Sequence, residues 1–179
     1  MDDTRDLTEP KFLIVTAMEK EDYRQFLYIS TFLKNSFTIP GLAVFAMLGS
    51  MLINFSFDSF SLLKFLLTGC LMFAFIIGVL IFKIQMRFKQ RVSTDNTGTF
   101  GSSSTLMFYE DKVIIVNKAF NSHGELEYNK FYKLIESNDF FLFYLTGNQA
   151  SLIRKKDIAN EEEFKAFILD KFKGRYKCI

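Results

Sequence analysis

Two long apolar runs constrain this chain more than anything else in it. Twenty-three residues between Lys34 and Asp58, and eighteen between Lys64 and Lys83, carry no charge. The second run, FLLTGCLMFAFIIGVLIF, is apolar on every side. As a helix it would be about 27 Å long, close to the hydrocarbon thickness of a bilayer. A pair of buried helices in a soluble core is the alternative, but such helices usually keep a polar stripe. The runs therefore predict two membrane spans, residues 37–55 and 65–82. The nine residues from Ser56 to Lys64 connect them, and so short a link predicts an antiparallel hairpin.

Charge placement predicts the orientation. Lys83, Arg87, Lys89 and Arg91 follow the second run and Lys34 precedes the first, whereas the connection offers Lys64. By the positive-inside rule both termini face the cytoplasm, which predicts a multi-pass membrane protein. The start of the chain is acidic, with Asp2, Asp3, Asp6 and Glu9, unlike the basic start of a signal peptide. Asn54-Phe55-Ser56 fits a glycosylation pattern but falls at the expected bilayer edge, where it reads as chance.

Composition excludes several function classes. Among 179 residues, 22 Lys and Arg face 20 Asp and Glu, a net charge of +2, too small for a nucleic-acid binder built on bulk charge. Two Cys and one His rule out a disulfide scaffold and a four-ligand His/Cys zinc site. His123 falls in an expected polar turn. Cys70 lies within a span and Cys178 next to the end, neither in a motif with a base or a second thiol. Ser102–Ser104 lacks a nucleophile-elbow context, and no glycine-rich run has phosphate-loop spacing. The sequence thus predicts no catalytic residues, no cofactor and no metal site.

Four segments follow. Residues 1–36 hold a short strand at Lys11–Thr16, then an amphipathic helix over about 18–35, with Thr16 and Glu19 at capping-box spacing. A break near Asn35, with Thr38 as cap and Pro40 in the first turn, separates that helix from the hairpin of residues 37–82. Cys70, Ala74 and Gly78 on the second span, and Ala46 and Ser50 on the first, are the expected small-residue packing faces. A substrate path would need ionisable or clustered polar groups within the spans. Residues 83–104 form a basic helix extension and a Gly/Ser/Thr/Asn-rich linker. Residues 105–179 alternate as strands: Thr105–Tyr109, Val113–Asn117, Glu125–Tyr128, Phe140–Leu145 and Ser151–Arg154, with 129–138 ambiguous. A closing helix starts at Asn160 and carries Phe164, Phe167, Ile168 and Phe172 on one stripe, ending near Gly174. The fold class is a two-helix membrane hairpin plus a small antiparallel α+β domain.

Two basic clusters are candidates for contact with anionic lipid headgroups. In the first, Lys83, Arg87 and Arg91 share a four-residue spacing with Lys89 nearby. The second is Arg154-Lys155-Lys156. The favoured reading is topology and snorkelling for the first, which lipid contact can accompany, and a solvated turn for the second.

The order of short motifs resembles a known family. Ala17-Met18-Glu19-Lys20-Glu21-Asp22-Tyr23 opens a helix before the hairpin, and Leu106-Met107-Phe108-Tyr109-Glu110-Asp111 opens the β-rich part. The segments YNKFYKLIE (128–136), DFFLFY (139–144) and Leu152-Ile153-Arg154-Lys155, leading into Asn160-Glu161-Glu162-Glu163-Phe164, complete the series. This arrangement resembles the bacterial YcxB-like membrane proteins. The resemblance implies a pleckstrin-homology-type C-terminal domain and brings no catalytic residue with it. The sequence points to a membrane-anchored binding or scaffolding module, with the lipid bilayer and an unidentified protein as partners and no nucleic acid. A bacteriocin-immunity or stress-type protein acting through its hairpin is the alternative.

Overall fold

A computed structural model describes residues 9–55, 60–96 and 98–179. It is a mixed α+β protein of two compact units, one made of residues 1–19 with 97–179 and the other of residues 20–96.

The first unit holds two sheets and a helix. Strands β1 (Phe12–Ala17), β2 (Ser103–Phe108), β3 (Lys112–Asn117) and β4 (Ser122–Glu127) form one antiparallel sheet in chain order. The strand expected near the N-terminus pairs with β2, Ile14 opposite Leu106, although about ninety residues separate the two positions in sequence. The second sheet runs β7 (Ala150–Arg154), β6 (Phe140–Tyr144), β5 (Lys133–Glu136), β8 (Tyr176–Cys178), and β8 joins β5 in parallel. Helix α4 (Glu161–Lys171) packs into the core between them. Asn160 caps it, accepting a hydrogen bond from the Glu163 amide at 3.3 Å, and Glu161–Glu163 place negative charge in its first turn. Gly174, at φ +76°, turns the chain out of the helix, a conformation L side chains rarely adopt.

Alternation makes the core. Ile14, Leu106, Phe108 and Val113 point inward from the first sheet, and Leu134, Phe141, Phe143 and Ile153 from the second. Phe164 and Ile168 of α4 and Phe172 at its C-cap are fully buried among them. The Phe164 ring lies 4.9 Å from Phe108, 5.3 Å from Phe12 and 5.6 Å from Phe141, edge-on to all three. Every residue of β6 is buried, which explains an unbroken aromatic run where a half-exposed strand would alternate.

The second unit is helical. Helix α1 (Lys20–Tyr28) runs into a π-helical turn at Ile29–Leu33, then the chain breaks and turns by 59° into α2 (Thr38–Asn54). Helix α3 (Leu62–Ser93) is continuous over 32 residues, about 48 Å. It is long and apolar enough to cross a membrane, and only 6% of its apolar window is buried, unlike a soluble core helix. Helices α2 and α3 pack together through Ala46, Ser50 and Gly69, all buried. A Cβ on Gly69 would sit 2.7 Å from Met47 Sδ, so a larger residue there would have to displace the end of the Met47 side chain. Polar groups clamp the same seam: Ser50 Oγ donates to the Phe65 carbonyl at 2.6 Å, and Asn54 Nδ2 to Thr68 Oγ1 at 3.0 Å.

Several local expectations need correction. Thr16 does not cap a helix; it lies in β1 and its hydroxyl donates to Asp157 at 2.6 Å. Thr38 is the first helical residue, and Asn35 Oδ1 instead accepts from the Phe37 amide at 3.1 Å. Cys70, Ala74 and Gly78 do not form the packing face. They are exposed, because the α3 seam runs one position earlier through Gly69. His123 belongs to β4, opposite Val116, and the turn comes earlier, at Asn121 with φ +46°. Phe167 is half-buried, not part of the sealed core. Ser56 of the glycosylation pattern and residues 56–59 of the connection lie outside the described residues.

Candidate functional site

The basic residues after the apolar run ride on one uninterrupted helix. Lys83, Arg87, Lys89 and Arg91 all belong to α3 and are all exposed. At about 100° per residue, Lys83, Arg87 and Arg91 span an arc of roughly 80° over 12 Å of helix, and Lys89 points to the other side. The four have no ion-pair or hydrogen-bond partner among the described residues.

What holds this stretch in place is α1. Ile84 is buried, Gln85 Nε2 donates to Tyr28 Oη at 3.0 Å, and the Arg24 guanidinium lies 6.0 Å from the Phe88 ring. Docking α1 here creates a groove of about 290 Å³ lined by Tyr23, Arg87, Gln90, Arg91 and Thr94. Two of the four sequence candidates, Arg87 and Arg91, thus meet in one concave site. Tyr23 and Gln90 were missed. Tyr23 reads in sequence as part of the apolar stripe of its helix, and only the helix pairing turns it into a wall. Thr94 Oγ1 donates to the Gln90 carbonyl at 2.8 Å and finishes the helix end.

The second basic cluster is corrected, because two of its three residues are structural. Arg154 donates from Nε to Asp157 Oδ2 at 2.7 Å and from Nη1 to Glu19 Oε1 at 2.7 Å. With the Thr16–Asp157 bond, this ties β1 to the end of β7. Lys155 donates to the buried Glu136 carboxylate at 2.7 Å, and Lys165 and Tyr176 donate to it as well. Burial pushes the Glu136 carboxyl up, but these three donors outweigh it and hold it down at about 2. Of this cluster Lys156 alone is exposed. Outside the cluster, hydrogen bonds from Lys11 and Lys171 hold the Glu110 carboxyl at about 2.

A separate cavity of about 220 Å³ opens in the β-rich unit. Thr16, Ser102, Ser104, Asn117 and Ser151 line it with apolar Leu106, and no charged side chain among the described residues lines it. Its polar groups largely satisfy one another: Asn117 Nδ2 donates to Ser104 Oγ at 3.0 Å and Ser102 Oγ at 3.3 Å, and its Oδ1 accepts from the Phe120 amide. Cys70 and Cys178 are free thiols. No cluster of three His, Cys, Asp or Glu side chains with metal-holding geometry exists among the described residues.

Residues 108–169, about a third of the chain, match the model of the family described as YcxB-like protein. No curated protein and no solved structure matches the chain. The matched segment runs from the last residue of β2 through most of α4. It therefore takes in the second sheet apart from β8, and the helix that packs on it. The chain carries a YcxB-like domain in its C-terminal part.

Proposed function

We propose that this protein is a multi-pass bacterial inner-membrane protein whose α2–α3 hairpin anchors a cytoplasmic binding or scaffolding module at the membrane surface. The observation that carries this reading is α3 itself, an apolar length sufficient for a bilayer, barely buried, that runs without a break into exposed Lys83, Arg87, Lys89 and Arg91. Exposed Leu48, Leu52, Leu67, Leu71, Phe75 and Phe82 on the two helices suit lipid as their surroundings. Helix α2 with its bent partner segment supports a second crossing. The positive charge after Phe82 favours both termini in the cytoplasm. The basic residues there would be drawn to anionic headgroups at about 1 kcal/mol each. Two four-stranded sheets with a late helix in their core agree with the pleckstrin-homology-type domain that the family resemblance implies, a framework used for binding more than for catalysis.

Topology reporters test the anchor. Fusions at residues 1 and 179 should both report cytoplasm, and one within residues 56–61 should report the outside; opposite sides for the termini would end the hairpin reading. For the module, a variant with residues 97–179 deleted should lose partner capture. If the remaining helices still bind the partner, the hairpin is the working part, as in an immunity-type protein.

A further inference from the structure

We propose that the groove between α1 and α3 is a binding site for a phosphate group, held by the paired guanidinium groups of Arg87 and Arg91. One helical turn separates these residues, about 6 Å along the axis. That spacing lets two planar donor forks converge on the oxygens of one tetrahedral anion, each bidentate, whereas an ammonium group meets it only as a strongly hydrated point charge. Gln90 lies beside them on the groove wall and adds an amide donor, and Tyr23 lines the groove from α1. No carboxylate among the described residues neutralises either arginine. This sets them apart from Arg154 and Lys155, which are consumed by Asp157, Glu19 and Glu136. The negative end of the α3 dipole opposes an anion near Thr94, so the arginines must carry the binding.

The position suits a lipid headgroup. At 1.5 Å per residue, Arg87 stands about 7.5 Å and Arg91 about 13.5 Å beyond Phe82. The headgroup layer adds about 5–7 Å to each side of the hydrocarbon. Arg87 would then sit at the outer edge of that layer, with Arg91 one helical turn, about 6 Å, farther out. This assignment of source rests on the proposed membrane anchor; the chemistry of the groove does not. A soluble phosphate would meet the same donors.

The test uses the full-length chain in maltoside micelles, which contain no phosphorus, with binding followed by phosphorus NMR. The probes are inorganic phosphate and dihexanoyl-phosphatidylglycerol. The native protein should bind at least one of them. The double variant Arg87→Lys, Arg91→Lys should bind at least tenfold more weakly, although its charge and helix propensity are unchanged. Arg87→Gln with Arg91→Gln should abolish binding. Preference for the phospholipid names the headgroup as the source, and preference for inorganic phosphate names a soluble ligand; either supports the site. If the Lys variant binds like the native protein and the Gln variant does not, only surface charge acts. The groove is then refuted and the attraction to an anionic surface stands. If both variants match the native protein, or the native protein binds neither probe, the site is refuted, and in the first case that attraction falls with it.

Discussion

Replacing Phe164 by Ala should open the β-rich unit without disturbing the helical one. The ring is fully buried, and Phe12, Phe108 and Phe141 present their rings to it from β1, β2 and β6. Truncating a buried Phe costs about 3–5 kcal/mol through lost transfer energy and the cavity left behind. Edge-on aromatic pairs contribute about 0.5–1.5 kcal/mol each beyond burial, which puts this site toward the upper end. Hydrogen exchange on the full-length protein in micelles reads the cost directly, because the most protected amides of a unit open only with its global unfolding. At 1.4 kcal/mol per factor of ten, protection of the Phe140–Tyr144 amides should fall roughly 100- to 4,000-fold, while the α3 amides keep theirs. Phe167→Ala is the internal comparison. Its ring is half-buried, with the Lys11 and Lys171 ammonium groups at 5.5 and 5.3 Å, and should cost only about 1–2 kcal/mol. A fall of less than threefold for Phe164→Ala, or equal falls for the two variants, would refute the reasoning.

Three further outcomes are expected. The Glu136 carboxyl is held at about 2 when folded against 4.5 otherwise; its stabilisation is therefore full above pH 4.5 and is lost as pH falls toward 2, and Glu136→Gln should flatten that part of the acid-unfolding curve. Arg154→Ala leaves part-buried Asp157 without its charge partner and should cost about 3 kcal/mol, read as faster exchange in β1 than in β6; equal loss in both strands would show that Arg154 does not specifically hold β1. Asn54→Leu removes the bonds to Thr68 and Ser50 and should weaken the α2–α3 pairing by about 0.6–1.7 kcal/mol, seen as lower cross-linking between cysteines placed along the seam.

Elements whose signal is local were legible in the sequence. The Asn160–Glu163 cap, the aromatic strand over Phe140–Tyr144 and the continuous helix through Arg91 depend on residues a few positions apart, and each stands within a residue or two of its expected place. Misreadings arose where distant residues compete. Thr16 and Glu19 have capping spacing, but Asp157 and Arg154 claim both side chains. Strand β8 is three residues long and exists because β5 offers it a parallel edge, for which no local pattern speaks. Arg154 and Lys155 look like a solvated basic turn until the carboxylates of Asp157 and Glu136 are brought to them.

Charge-free length and the clustering of basic residues after it determined, from sequence alone, that a long apolar helix exists and where its character changes. They do so because hydrophobicity and helical rise are properties of the local chain. Only the tertiary structure decided which arginines are free. The same residue type is neutralised at Arg154 and, among the described residues, left unpaired at Arg87 and Arg91, since pairing depends on which strands and helices end beside it. It also made Tyr23 a groove wall, because a groove is formed by two helices and is encoded in neither.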